Sequence, residues 1–168
     1  PIKIHEVPTG YQAYDWEIPQ EWNINEAYVV DPDGEKVIDF AKNNLHVMNY
    51  SIPVDEEVDF EMLQEHLYSI PEKPNAIPYV TSYYDRRWGF CLAENQRKNL
   101  KKGKYRVYVD STIEDGSMSY GELIIPGELD KEIFLTTYIC HPSMANNECS
   151  GVAVTTFLAK WLLNRDNR

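Results

Sequence analysis

The stretch that decides the fold is residues 132–163, which read EIFLTTYICHPSMANNECSGVAVTTFLAKWLL. Its first part, 132–140, is almost continuously apolar and rich in β-formers, which is typical of a strand buried on both faces. From Val154 onward, apolar residues recur at i, i+3, i+4, i+7 and i+8, which predicts an amphipathic helix with Ser150 as its N-cap. A strand, a polar loop over 141–149 and a helix together form one unit of an α/β body.

One such unit leaves an apolar face of its strand and of its helix uncovered. An α/β body needs several units, and this chain supplies one. We therefore expect the rest of the sheet to lie beyond Arg168 or to come from a partner segment. Exposed apolar faces drive association, so a homo-oligomer is among the expected partners. Because ligands of α/β units bind at the carboxyl ends of strands, chemistry is expected in the loop 141–149.

The residues before this unit have the pattern of a small β domain. A turn at Asp31-Pro32-Asp33-Gly34 joins predicted strands at 27–30 and 36–40. Strict alternation over 105–110 predicts a half-buried strand with Tyr105, Val107 and Val109 on one face. A helix is expected over 59–68, with Asp59 as its N-cap.

Composition narrows the classes of partner. Among 168 residues, 16 are Lys or Arg and 27 are Asp or Glu, which gives a formal net charge of −11. This balance argues against nucleic acid and against an anionic membrane surface as partners. No apolar run approaches the roughly 20 residues that a membrane span needs. The three cysteines Cys91, Cys140 and Cys149 form no CxxC motif, which indicates reduced thiols and a cytoplasmic location.

Within the loop, His141 follows the predicted strand, and oxygen-bearing side chains stand before the helix. This arrangement suits a divalent metal such as zinc. A capping loop explains the same residues without chemistry, and composition alone leaves both interpretations open. Cys149 at the helix start is a candidate nucleophile with His141 as its base. The glycines of a nucleophile elbow are missing, however, so a small buried residue is the favoured interpretation of Cys149.

An aromatic segment covers 77–91, where two β-prone stretches predict a hairpin. Its aromatic side chains suggest a platform for sugar or peptide, although cross-strand packing is the simpler explanation. These residues are Tyr79, Tyr83, Tyr84, Trp88 and Phe90. Arg86 and Arg87 suit either a substrate carboxylate or a solvated hairpin tip, and the tip is favoured. His46 and His66 are expected to be structural or exposed.

The run 138–151, YICHPSMANNECSG, resembles a family of bacterial aminopeptidase-like proteins, distant relatives of the M28-type zinc aminopeptidases. The resemblance covers essentially the whole chain and extends to Trp16–Pro19, Glu21–Trp22, Asn44–Val47, Ile77–Tyr84 and Trp88–Cys91. It implies a mixed α/β fold in which a β-rich domain of unknown function, residues 24–118, interrupts an aminopeptidase-like body. Residues 1–23 and 119–168 would belong to that body.

The resemblance also implies a zinc-dependent hydrolase that acts on peptides or small amides. His141 matches a zinc-binding His of that family, and Asn147 stands where an Asp bridges two zinc ions. Ser143 stands where an Asp orients the His. A bridging position needs charge, so the neutral Asn147 argues against two zinc ions unless Glu148 supplies the carboxylate by a small shift. A single zinc ion, a more weakly held metal and an inactive relative are the alternatives. The general base is expected beyond Arg168, so no catalytic residue is predicted within the chain.

Two further hypotheses remain open. The neutral residues Ser143 and Asn147 support a degenerate peptidase fold that serves as a non-catalytic binding or assembly module. A thiol enzyme at Cys149 is the third hypothesis. Metal analysis separates the first two, and selective alkylation identifies the third.

Overall fold

The computed structural model describes residues 2–140 and 145–165. It is a mixed α/β structure with mostly strands and a few helices, which confirms the predicted fold class. The chain divides into two compact units, Glu6–Met118 and a second that combines Pro1–His5 with Ser119–Arg168. The predicted insert, 24–118, lies within the first unit, and its insertion into a longer body stays a prediction.

The strands of the described residues are β1 (Lys3–Pro8), β2 (Gln12–Ala13), β3 (Trp16–Glu17), β4 (Glu21–Val30), β5 (Lys36–Asp39), β6 (Val54–Asp59), β7 (Leu67–Tyr68), β8 (Phe90–Cys91), β9 (Lys104–Glu114) and β10 (Ser117–Glu122). The helices are α1 (Phe60–Glu65), α2 (Glu94–Lys98) and α3 (Asn146–Leu163), with a 3₁₀ turn at Asn44–His46. β1 pairs with β10, and β2 with β3.

A four-stranded antiparallel sheet with the order β5-β4-β9-β6 organises the first unit. Along β9, Tyr105, Val107 and Val109 are buried and alternate with more exposed residues, as predicted. Val107 pairs with Val29, and Val109 with Ala27. The sheet therefore has one face on the core and one toward solvent, as antiparallel sheets commonly do.

A bulge at Asn25 interrupts β4. The pairing of β4 with β9 shifts register there, so that two residues of β4 oppose one residue of β9. Trp22 and Ile24 precede the bulge at even positions, whereas Ala27 and Val29 follow it at odd positions. All four pack in or against the core. The extra residue thus keeps both halves of the strand facing the same side.

Ser51 links several segments in the interior of the first unit. Its hydroxyl donates to Met48 O at 2.6 Å and accepts from Gly89 N at 3.2 Å. Its carbonyl accepts from Trp22 Nε1 at 2.9 Å and from the Ser111 hydroxyl at 2.7 Å. These polar groups are satisfied where an unpaired group would cost about 1–3 kcal/mol.

Helix α1 begins as predicted and ends early. The Asp59 carboxylate accepts from Met62 N at 2.8 Å, which is the expected N-cap bond. The prediction of a helix through residue 68 was wrong, because the residues after Glu65 form β7, which pairs in parallel with β8. Leu67 is buried there as a strand residue.

The hairpin predicted over 77–91 was wrong. No two strands pair within this segment, whose backbone bonds to residues 47–52 and, through β8, to β7. Asn49 N donates to Val80 O at 3.0 Å, Ser82 N to Asn49 O at 3.1 Å, and Ile52 N to Arg87 O at 3.1 Å.

The strand predicted over 132–140 was also wrong. No described residue pairs with this segment as a strand, and Ile133 and Phe134 are 91% and 85% exposed. A β-prone sequence becomes a strand only where a neighbour satisfies its backbone N–H and C=O groups.

The predicted second helix is confirmed as α3, but it begins at Asn146. Ala145 occupies the cap position, so the prediction of Ser150 as N-cap was wrong. Phe157 is 71% exposed, and no described side chain of α3 is buried. Among the residues that the structure describes, no helix combines the length and apolarity that a membrane crossing requires.

Candidate functional site

The predicted metal site lies where the segment 132–140 leads into α3. His141, the first predicted ligand, and Ser143 lie outside the described residues. Asn147, the second predicted ligand, lies in the first turn of α3, and its Oδ1 accepts from the Tyr138 hydroxyl at 3.1 Å. The start of the helix is thus tied to the segment before the loop.

Glu148 forms a second hydrogen bond to this segment through one of its two carboxylate oxygens. Its Oε2 accepts from Cys140 N at 3.1 Å, whereas Oε1 is buried and has no hydrogen-bond partner within 2–140 and 145–165. A buried carboxylate oxygen without a partner is costly, and a bound cation would relieve that cost. The pKa of the Cys140 thiol is raised, mainly because the thiol is partly desolvated and secondly because of the negative charge of Glu148.

Gly151 brings α3 close to the segment before the loop. A Cβ at this position would clash with the Thr137 hydroxyl and would lie 3.3 Å from Thr137 Cβ. The glycine therefore permits the approach that places Asn147 and Glu148 beside Tyr138 and Cys140.

The oxygen atoms of Asn147 and Glu148 are of the type that binds divalent cations, and zinc accepts carboxylate ligands. The part of the chain described here contains no cluster of three or more His, Cys, Asp or Glu residues that could hold a metal by itself. Asn147 and Glu148 could therefore hold zinc only together with further ligands, since zinc usually takes four.

The three cysteines differ in environment. Cys149 is exposed in α3, so the expectation of a buried residue was wrong. Cys91 is fully buried in β8, and burial raises its pKa to about 12. Because the thiolate is the nucleophile, we expect Cys91 to be unreactive in the folded protein.

Iodoacetamide at pH 8 is therefore expected to modify Cys149 and, more slowly, Cys140, while Cys91 stays unmodified. Peptide mass spectrometry after short incubation measures this order, and the same treatment in guanidinium chloride should modify all three. Modification of Cys91 at the rate of Cys149 in the native protein would contradict the buried position of β8.

The predicted aromatic platform divides in two. Trp88 and Phe90 are buried in the core, where packing explains them. Tyr83 and Tyr84 are exposed, by 39% and 59%. The two arginines beside them do not form a hairpin tip. Arg86 donates to Gln20 Oε1, and Arg87 donates to the Tyr68 hydroxyl at 3.1 Å.

The two isolated histidines are structural, as expected. His46 is buried, and its Nδ1 lies 2.7 Å from Cys91 O. The His66 ring stacks on Trp88 with a centroid distance of 3.6 Å.

A groove in the first unit includes Tyr83 and Tyr84 of the predicted platform and Arg86, together with polar residues that the sequence analysis did not single out. Its volume is about 390 Å³, and it combines exposed rings with polar side chains. The residues that give it this character are Glu17, Gln20, Tyr83, Tyr84, Arg86 and Asp115. Gln20 and Asp115 are 95 positions apart in the chain and hydrogen-bond to each other, so no local pattern could have connected them.

Comparisons with known proteins agree with the predicted resemblance at a coarse level. Residues 21–112 match a family described as "Domain of unknown function (DUF2172)". A protein of Clostridium acetobutylicum is 53% identical over 162 residues, which cover 96% of this chain and 37% of that protein. It is named "Putative polysaccharide biosynthesis protein with aminopeptidase-like domain".

A crystal structure from Clostridium acetobutylicum, described as a "putative peptidase", is similar with a TM-score of 0.91 and 52% identity. The match covers 98% of this chain and 39% of that one. The chain thus spans less than half the length of the relatives that it matches.

Proposed function

This chain belongs to the DUF2172 family, and we propose that it is part of a zinc-dependent aminopeptidase-like hydrolase that acts on peptides or small amides. The observation that carries the proposal is the likeness, over nearly the whole chain, to relatives named for a peptidase or an aminopeptidase-like domain. Because the chain spans only part of those relatives, the activity is proposed for the whole protein.

On the side of this chain, His141, Asn147 and Glu148 would hold the metal. A carbonyl oxygen has two lone pairs, so Asn147 Oδ1 can accept from the Tyr138 hydroxyl and still face a cation. Glu148 has one oxygen engaged by Cys140 N and the other without a hydrogen-bond partner among the described residues.

The hydrogen bonds from Tyr138 and Cys140 fix how these two oxygens point. Groups that orient metal ligands in this way commonly affect affinity or activity by about 10- to 100-fold. When bound, zinc polarises a carbonyl and lowers the pKa of a water molecule. The remaining ligands and the general base would come from other parts of the protein.

The test is hydrolysis by the purified full-length protein. The substrates are aminoacyl p-nitroanilides, dipeptides and N-acetylated amino sugars. The sugars are included because one relative is named for polysaccharide biosynthesis and an acetamide is a small amide. We expect zinc-dependent cleavage of at least one class, lost in His141→Ala and kept in His5→Ala, a histidine at a distant sequence position.

Two outcomes would contradict the proposal in different ways. Bound zinc without cleavage of any class would reject the hydrolase and keep the metal site. If the protein neither binds metal nor cleaves any substrate, the non-catalytic module is favoured. The neutral residue Asn147 already supports that module as the second candidate.

A further inference from the structure

We propose that the groove of the first unit binds a neutral oligosaccharide. The groove is formed by Glu17, Gln20, Tyr83, Tyr84, Arg86 and Asp115. All of these residues belong to the unit Glu6–Met118, so the proposal does not rest on the hydrolase or on a metal.

The exposed rings are held in fixed orientations. The Tyr84 hydroxyl donates to Glu17 O at 2.7 Å, which anchors a ring that is otherwise mostly in solvent. Tyr83 packs on Tyr50 with a centroid distance of 4.8 Å, and Tyr50 in turn stacks near Trp22 at 6.0 Å. Rings that are already ordered offer a flat apolar surface at a low entropic cost, and the C–H faces of pyranose rings stack on such surfaces.

A row of planar polar groups lies beside the rings. Arg86 donates to Gln20 Oε1, and Gln20 Nε2 donates to Asp115 Oδ1 at 2.7 Å. A guanidinium has five N–H donors and a carboxylate about four acceptor sites, so each keeps capacity for a ligand after these bonds. Sugar hydroxyls both donate and accept, and they match a row that presents donors and acceptors together.

Charge and backbone pairing favour a neutral sugar over the alternatives. Glu17 and Asp115 outnumber Arg86, which disfavours an anionic ligand. An extended peptide would need free backbone groups at a strand edge. In this groove Gly10 N donates to Ile18 O at 2.9 Å and Ile18 N donates to Tyr11 O at 3.0 Å, and the next residue is a proline without an N–H. These three positions on the rim of the groove therefore offer no free N–H to a peptide strand.

The test is an array of neutral and acidic oligosaccharides probed with the full-length protein, followed by calorimetric titration of the neutral oligosaccharides that it retains. We expect neutral oligosaccharides to bind and Tyr84→Ala to weaken binding at least about tenfold. Tyr84→Phe keeps the ring and should stay within about threefold of the parent. Tyr14→Ala removes a tyrosine that is 100% exposed and does not line the groove, and it should change nothing.

Several results would overturn the proposal. These are retention of no neutral oligosaccharide, equal affinity of Tyr84→Ala and the parent, or a preference for acidic sugars. Binding of a lysine-rich peptide that Tyr84→Ala abolishes, without sugar binding, would assign the groove to peptides. Should Tyr84→Ala fail to fold by circular dichroism, Asp115→Ala and Arg86→Ala replace it, with the same loss expected.

Discussion

Replacement of His141 by Ala is expected to lower the zinc affinity of the full-length protein by more than about 100-fold. Loss of a ligand should exceed the roughly 10- to 100-fold effect of losing a group that only orients one. Zinc content after dialysis, measured by elemental analysis, and titration against a chromophoric chelator give the affinity. Undiminished zinc in His141→Ala would remove this residue from the site.

Asn147→Asp is expected to raise zinc affinity, whereas His141→Ala lowers it. If Asn147 stands at a position that bridges two cations, an added charge should tighten a second zinc by about one to two decades, equivalent to roughly 1–3 kcal/mol after solvent screening. If Asn147 only accepts the hydrogen bond from Tyr138, the variant should gain no metal and should lose some stability. Zinc titration beside the parent separates the two interpretations.

Phe90→Ala is expected to destabilise the first unit by about 3–5 kcal/mol. Phe90 is fully buried in β8, and its ring meets Trp88 edge-on at 6.2 Å, so truncation leaves a cavity that neighbouring side chains fill only in part. Guanidinium chloride unfolding of the chain, followed by Trp fluorescence, measures the change. Tyr14→Ala is the control and should stay within about 0.5 kcal/mol, because its side chain is in solvent. Similar shifts in both variants would contradict the core assignment.

The elements that could be predicted from the sequence are those whose signal is local. The alternation of β9 is contained in neighbouring residues, and so is the cap at Asp59. The elements that failed depend on distant partners. Residues 77–91 had the composition of a hairpin, but the backbone of that segment bonds to residues 47–52 and to β7, both outside it.

The same distinction applies to the candidate sites. The metal-site prediction at His141 and Asn147 came from one short motif, and the resemblance gave those residues their roles. The groove joins the hairpin of β2 and β3, the segment around Tyr84, and Asp115, which are far apart in the chain. Only the fold brings them together. In the sequence, Tyr83–Tyr84 and Arg86–Arg87 suggested a binding surface, but nothing there indicated that Gln20 and Asp115 belong to it.

The bulge at Asn25 also bears on how chain length can vary in this fold. If Asn25 were deleted, Trp22, Ile24, Ala27 and Val29 would occupy every second position of an uninterrupted strand. The partners of its neighbours on β9 are already consecutive, so the ladder would close without a gap. Asn25 therefore behaves as a single inserted residue whose loss preserves the orientation of the whole strand. Alignments of related chains should tolerate a one-residue gap here, whereas a gap elsewhere in β4 would turn half of its apolar side chains outward.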